Sequence, residues 1–479
     1  MEKKIKQQQL FWYNFANYTS TILIVLSIVF LYHRNIDMVG KIKYVESIAS
    51  LLMPFLTLGL SQAFVNFLPI LEDYHGKTLY GVSLGLVFFI SSAAVVLLII
   101  VNLFIPISQF NYIFYGLIIS FSLSFLEIMK SRAITIDKVT VPVLFEKISP
   151  KIFLIILLVV FGKLTIDNQV FLKYYSLFYV IVVLYIFSYL NKFSRPRFSL
   201  KTEHLFENFN KKDLLNYMFF SILASSMSFA AFKLDGIIIP IYLSMKANGL
   251  FAIALLISNI VALPAGAIFA LNSANVSYLI KNEDFEKLNS IYKEVAKIIF
   301  YKCFIVLSII ICVIPPIIYH FYGTNADYIG LIPLIQVLGI GSLFSVATGF
   351  NNEIIIFSKY YKYNYLFTAI LVVINISLFY YFLTFTDLKL LGIAIAISTS
   401  TILFNTMKLI FIKIKLNLLP IDKNYIALIL LMSLVLVFAC LLPSTNNLAI
   451  NCSLKILLIF GLNFLVKKFL KLNSASKIL

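Results

Sequence analysis

Lys233 and Asp235 stand two residues apart near the end of a long apolar stretch, just after the run from Phe219 to Ala231. An ionisable side chain in hydrocarbon is costly unless it faces a polar cavity or a partner, which makes such residues functional candidates. The i,i+2 spacing puts the two on different parts of a helix surface, so they need not pair with each other. One can face a cavity while the other contacts a second element. The alternative is that Lys233 snorkels outward and Asp235 caps or hydrogen-bonds near the external end. Glu146, Lys147 and Lys151 form a second set in the cytoplasmic half of another apolar stretch. Lys147 and Lys151, at i,i+4, put like charges along one face, an arrangement that needs an anionic or polar answer. A pyrophosphate is a compact target for such point charges. The other reading is that Pro150 breaks the helix and leaves ordinary surface lysines on a turn.

Glu127 and Glu353 close two further stretches. Each reads as an interfacial charge or as a coupling carboxylate; with Asp235 they are the proton or sodium sites open to an ion-driven process. Ser61, Gln62 and Asn66 can line a cavity or tie helices together by hydrogen bonds. Pro54, Pro264 and Gly266 permit local bending. Cys303, Cys312, Cys440 and Cys452 include no CxxC pair. Cys440 and Cys452 flank one external turn, where buried free thiols are expected over a disulfide. His33, His75, His204 and His320 are scattered over loops on both sides, which argues against a metal site. No GxxxxGK[ST] pattern occurs, so there is no sign of ATP hydrolysis.

The elements that must position these residues are membrane helices. Of 479 residues, 61% are hydrophobic and 13% charged, against about 45–50% and about 25% for soluble domains. Apolar stretches recur at 11–32, 45–70, 79–104, 109–129, 139–162, 170–191, 214–240, 248–272, 296–319, 328–350, 363–384, 390–411, 424–442 and 447–466. Most are long enough to cross a hydrocarbon layer of about 30 Å. Runs such as Ala94–Val101 and Ile152–Val159 do not alternate, which excludes barrel strands. The expected fold is an all-α integral membrane protein of about 14 transmembrane helices. Lys3, Lys4 and Lys6 precede an aromatic-flanked first stretch without a small-residue cleavage pattern, so it reads as a span.

Charge sets the orientation. By these limits 27 Lys and Arg fall in connections on the N-terminal side and 7 on the other, Lys41 and Lys43 among the latter and Lys130 and Lys408 among the former. That asymmetry predicts cytoplasmic termini and explains most of the +18 net charge without nucleic acid. The basic loops face anionic lipid headgroups instead. Residues 275–295 read equally as a helix lying on the membrane or as an extension of the next span. External connections are too short for a catalytic or receptor domain.

A repeat organises the chain. The stretch beginning Gly40-Lys-Ile-Lys-Tyr has a counterpart beginning Gly249-Leu-Phe-Ala-Ile, each the second helix of a group. The expected plan is a six-helix half at 1–193, a cytoplasmic linker at 194–212, a second half at 213–415, and a helix pair with a basic tail at 416–479. Parallel duplication implies a pseudo-two-fold along the membrane normal with a cavity between the halves.

Met38–Pro69 with Gly40, Gly59, Leu60 and Asn66-Phe67-Leu68-Pro69, then Lys233-Leu234-Asp235-Gly236 with Gly249-Leu250-Phe251-Ala252, then Phe321-Tyr322-Gly323 and Gly392–Ala396, resemble in order and spacing the polysaccharide exporters. These are the O-antigen-type lipid-linked oligosaccharide flippases of the multidrug/oligosaccharidyl-lipid/polysaccharide exporter superfamily. Asn66 stands where that family often carries arginine. The resemblance implies a non-enzymatic protein of the bacterial inner membrane that moves an undecaprenyl-pyrophosphate oligosaccharide outward by alternating access, for O-antigen, capsule or another surface polysaccharide. It would use no cofactor and draw on a proton or sodium gradient if driven, beside a polysaccharide polymerase or other assembly proteins. The alternatives are a cation-coupled drug exporter of the same superfamily, a lipid II flippase, for which a denser set of intramembrane basic residues is expected, and a membrane glycosyltransferase or polymerase.

Overall fold

The side chain of Asn35 accepts a hydrogen bond from Met38 N at 3.1 Å and starts helix α1, Ile36–Thr57, in the computed structural model. Asp37 in its first turn suits the positive end of the helix dipole and pairs with Lys41 at 2.5 Å. The second span therefore begins well before residue 45. Lys41 and Lys43, counted with an external connection from sequence, lie on a helix. The structure describes residues 35–67, 73–106, 109–163, 167–198, 211–442 and 447–470, with four isolated positions between 19 and 27. The expected first span at 11–32, most of the linker at 194–212 and the basic tail lie largely or wholly outside these.

The chain divides into two compact units, Met1–Gly249 and Leu250–Leu479. In the first, α1 ends where Leu58 and Gly59 both take left-handed backbone angles, φ 49° and 66°. A Cβ at Gly59 would meet Met218 O and Ser221 on the facing helix, so only glycine fits the turn. Then come α2 (Leu60–Phe67), α3 (Asp73–Phe104), α4 (Phe110–Thr135), α5 (Thr140–Lys163), α6 (Asn168–Asn191), α7 (Lys211–Lys233), α8 (Asp235–Tyr242) and α9 (Met245–Asn259), which runs into the second unit. A core of Leu79, Tyr80, Leu84, Leu126, Met129 and Ile186 joins α3, α4 and α6. Outward, α3 presents Phe89 at 71%, Leu103 at 76% and Phe104 at 82% exposure. So broad an apolar outer face is stable in lipid and not in water.

In the second unit a 3₁₀ turn at Ile260–Ala262 separates α9 from α10, Leu263–Lys281. Pro264 sits in the first turn of α10, where its missing N–H costs nothing. The bend expected from Pro264 is thus a change of helix. Next is α11, Phe285–Tyr322, a single helix of 38 residues capped by Asp284. At 1.5 Å per residue it is about 57 Å long. It contains 285–295 as an extension of the following span, whereas 275–281 of the segment read as one piece from sequence belong to α10. The chain continues through α12 (Ala326–Ile329), α13 (Leu331–Ala347), α14 (Asn351–Phe357), α15 (Lys362–Phe385), α16 (Lys389–Leu416), α17 (Lys423–Leu441) and α18 (Leu448–Phe469). Gly341 on α13 lies against Ser398 on α16, whose hydroxyl donates to Val337 O at 2.9 Å. The last two helices dock within this unit: Tyr425 OH donates to Ala347 O at 2.8 Å, and Tyr301 OH to Asn463 O at 3.1 Å.

Among the described residues, 11 helices are long and apolar enough to cross a membrane. The protein is an all-α, multi-span membrane protein. Helices α1 and α5 are outside that set of 11 although they have 22 and 24 residues, because each carries three or more charges.

Candidate functional site

Those two charged helices build the site. Lys43 and Glu46 are three residues apart on α1 and share a face. Lys43 Nζ lies 3.0 Å from Asp235 Oδ2, the two side chains 14% and 4% exposed. On the other side, Tyr175 OH of α6 donates to Glu46 Oε1 at 2.6 Å, and Lys151 of α5 stands 3.8 Å from the same oxygen. Lys233 is within electrostatic reach of Lys43, Glu46, Asp235 and Lys151. Three ammonium groups and two carboxylates from α1, α5 and the α7–α8 junction thus gather in one place, Asp235 buried and the other four half-buried. At an effective dielectric near 20, unit charges 4 Å apart interact by about 4 kcal/mol, so the two carboxylates offset much of the mutual repulsion of the three lysines, which outnumber them by one.

Local backbone features hold this arrangement. Helix α7 passes into α8 through Leu234, which keeps helical angles (φ −61°, ψ −32°) and accepts from Ile238 N at 2.9 Å, so Lys233 and Asp235 hold a near-helical register. Gly236 lies against Ser47 and Lys43, where a Cβ has no room. Asn248 Nδ2 donates to Gly40 O at 2.8 Å and to Gly236 O at 3.3 Å, tying α1 to α8. Gly40 and Gly249, the two landmarks of the sequence repeat, pack backbone to backbone.

Of the residues singled out from sequence, Lys233, Asp235 and Lys151 come together here, and Asp235 pairs with Lys43 rather than with Lys233. Glu146 and Lys147 lie on an α5 that runs unbroken through Pro150, so the reading of a proline-broken turn is overturned. Their like-charge stripe is answered by carboxylates: Lys151 turns to Glu46, and Glu146 pairs at 2.9 Å with Lys130, which also reaches Glu127 Oε1 at 2.5 Å. Glu127 and Gln62 line a cavity of about 150 Å³. Asn66 lies on α2, its side chain outside the described residues. Glu353 belongs to the other unit, within electrostatic reach of Lys408. Lys408, counted with the cytoplasmic basic residues from sequence, is 2% exposed, because α16 runs on to Leu416. Its Nζ donates to Asn352 Oδ1 at 2.9 Å and sits 4.0 Å above the Phe404 ring.

Lys43, Glu46, Tyr175 and Lys408 are the residues that sequence reading passed over. The signal for the first two was the Asn35-Ile36-Asp37 cap, which starts the helix early enough to contain them. All four cysteines are free, with Cys312 Sγ 3.5 Å from Cys440 Sγ. Among the described residues no group of three His, Cys, Asp or Glu could hold a metal ion.

No protein-family model matches the chain, and no curated protein does. Solved structures do. A lipid II flippase, MurJ, in an inward closed conformation superposes with TM-score 0.73 at 16% identity, covering 95% of this chain and 98% of that one. A multidrug resistance MATE family transporter of the MOP superfamily, inward-facing, gives 0.64 at 14% identity over 85% of this chain and 94% of its own. A MOP superfamily transporter from Pyrococcus furiosus gives 0.57 at 14% identity over 86% and 95%. At such identities the likeness is one of fold: the chain has the helical fold of the MOP superfamily transporters.

Proposed function

We propose that this protein is a flippase that carries a lipid-linked oligosaccharide, joined through a pyrophosphate to a polyprenyl carrier such as undecaprenol, from the cytoplasmic to the outer leaflet of the bacterial inner membrane. The half-buried cluster of Lys43, Lys151 and Lys233 against Glu46 and Asp235 carries this reading. A diphosphate is the anion that a compact set of ammonium groups suits best, and a polyprenyl tail can stay in lipid while the head is sheltered. The surplus of lysine over carboxylate also gives a reason for the side chains to be kept inside apolar helices. The fold shared with a lipid II flippase supports the same class of cargo. A peptidoglycan precursor and a surface-polysaccharide repeat unit, for O-antigen or capsule, both satisfy the site.

In this reading about 14 helices form two six-helix halves, 1–193 and 213–415, related by a pseudo-two-fold and working by alternating access. The linker at 194–212 and both termini face the cytoplasm, and the pair at 416–479 is an addition. Glu127, Asp235 and Glu353 are the carboxylates available for coupling to protons or sodium. Anionic lipids flank the basic loops, and a polymerase or other assembly protein takes up the product. Likeness to multidrug transporters favours one second reading, export of a small cationic or amphipathic molecule.

The test is leaflet-specific labelling of lipid-linked sugar in cells with the protein, without it, and with Lys151→Met and Lys233→Met, each checked for wild-type abundance in the membrane. Build-up on the cytoplasmic leaflet in the deletion and the variants supports the flippase. Normal distribution, with accumulation of a cationic dye on deletion, moves the drug exporter ahead.

A further inference from the structure

Tyr175 on α6 has no exposed surface, yet its hydroxyl reaches the charge cluster and donates to Glu46 Oε1 at 2.6 Å. Behind it stands the Tyr179 hydroxyl, 3.3 Å from that of Tyr175, with the two rings edge to face at 5.5 Å. Because Tyr175 gives its single proton to the carboxylate, its oxygen accepts from Tyr179. Tyr179, Tyr175 and Glu46 thus form a directed chain of hydrogen bonds that ends on one carboxylate oxygen. A hydrogen bond to an ionised acceptor is short and strong, so it fixes where that oxygen lies.

Lys151 meets the same oxygen at 3.8 Å, a charge contact too long for a hydrogen bond. Two other ion pairs of this unit are closer, Lys43–Asp235 at 3.0 Å and Lys130–Glu146 at 2.9 Å. The gap does not come from a loose helix. Phe153 on α5 stacks on Phe178 of α6 with ring centroids 4.0 Å and planes 6° apart, which registers the two helices within a turn of Lys151 and Tyr175. Both charged side chains are flexible enough to close the gap once the phenol lets go. We infer that Tyr175 is a positioning residue for substrate binding: it holds the Glu46 carboxylate away from Lys151, so that this ammonium keeps its donors for the diphosphate of the cargo. Glu46 then offsets the repulsion among the lysines without closing an ion pair that a phosphate would have to break. The ligand is that of the flippase reading above, on which this role rests.

The experiment is equilibrium binding of radiolabelled farnesyl diphosphate to the purified full-length protein in nonionic detergent. It compares wild type, Tyr175→Phe, Glu46→Gln and the double variant, with unfolding midpoints to show that each is folded. Tyr175→Phe keeps the ring and frees the carboxylate to close on Lys151. It is expected to bind about tenfold more weakly, the scale of one hydrogen bond to a charged group. Glu46→Gln takes away the competitor and should bind at least as tightly as wild type, and in that background Tyr175→Phe should change nothing. Full-strength binding by Tyr175→Phe, or the same loss with and without the Glu46 charge, overturns the role, since a purely structural tyrosine would act regardless of Glu46. Tyr179→Phe removes the hydroxyl behind Tyr175 and serves where Tyr175→Phe fails to fold. It should show a smaller loss that also vanishes with Glu46→Gln, and unchanged binding there overturns the role. No binding by wild type would sink the diphosphate cargo and this role together, whereas wild-type binding with the wrong variant pattern sinks the role alone.

Discussion

Lys43 on α1 and Asp235 at the start of α8 form an ion pair of 3.0 Å with both side chains largely buried. Their partnership joins α1 to the junction of α7 and α8, and places Gly236 against Lys43 and Ser47. Neither residue can be removed alone without leaving the other's charge in a poorly solvated place. The pair therefore serves as a frame for Lys233, two residues before Asp235.

Asp235→Asn and Lys43→Met are each expected to destabilise the protein strongly, up to about 3–5 kcal/mol for a broken buried pair. The double variant should lose much less than the sum of the two. A double-mutant cycle on unfolding in mixed micelles measures the coupling, and additive losses would mean that the pair is not formed.

Gly40→Ala should fold poorly, because its Cβ would press on the Met245 carbonyl and on Gly249 N, neither of which can yield. Gly266→Ala meets nothing within 4 Å. It should be neutral or stabilising by up to about 1 kcal/mol, the helix penalty of glycine. Yield and monodispersity on gel filtration separate the two, and similar behaviour would count against the close approach of α1 and α9.

Lys408 tests whether a buried ammonium is structural. Asn352→Leu removes the amide oxygen 2.9 Å from Nζ and is expected to cost about 1–3 kcal/mol. Lys408→Met keeps the volume, removes the charge and should match or exceed wild-type stability. If Lys408→Met were the more damaging of the two by thermal unfolding, the ammonium would be needed as a counter-charge to Glu353.

Asp422 lies outside the spans, at the N-cap of α17. Burial raises its pKa, but the hydrogen bond and charge of Lys297, 3.0 Å away, and the Tyr425 N–H outweigh this and hold it below the ordinary carboxylate value. A depressed carboxylate stabilises the fold above its unfolded pKa, about 4, and the contribution is lost as pH falls through the folded value. With the Asp422 side chain 27% exposed, the pair should contribute less than about 1 kcal/mol. Asp422→Asn keeps the cap and should differ from wild type at pH 7 but not at the acid end. Asp422→Ala should lose about 1 kcal/mol more at neutral pH through the cap. Parallel wild-type and Asp422→Asn stability curves across that range would exclude the ion pair.

Helix class and most helix limits were legible in the chain, since a run of apolar residues without alternation is a local property that lipid turns directly into a helix. The stretch expected at 170–191 is Asn168–Asn191, and that at 424–442 is Lys423–Leu441. Where charge interrupts the run, local reading failed: α1 was started late, and Lys43 and Glu46 went with it. Charged residues inside apolar stretches marked Lys233, Asp235 and Lys151 as worth attention, because desolvation makes each one expensive wherever it lies.

Which charge answers which was decided only by the tertiary structure. Periodicity tells which face of a helix a residue occupies, but the partner across the gap lies on another helix far along the chain. Asp235 meets Lys43, Lys151 meets Glu46, and Glu146 meets Lys130 because α1, α4, α5 and α8 pack at particular glycines and rotations. Sequence alone therefore determined that this is a membrane protein of apolar helices with a few costly charges. Packing decided that the lysines gather around two carboxylates while Glu127 and Glu146 share Lys130, since electrostatic matching is a property of contacts between helices and not of any one of them.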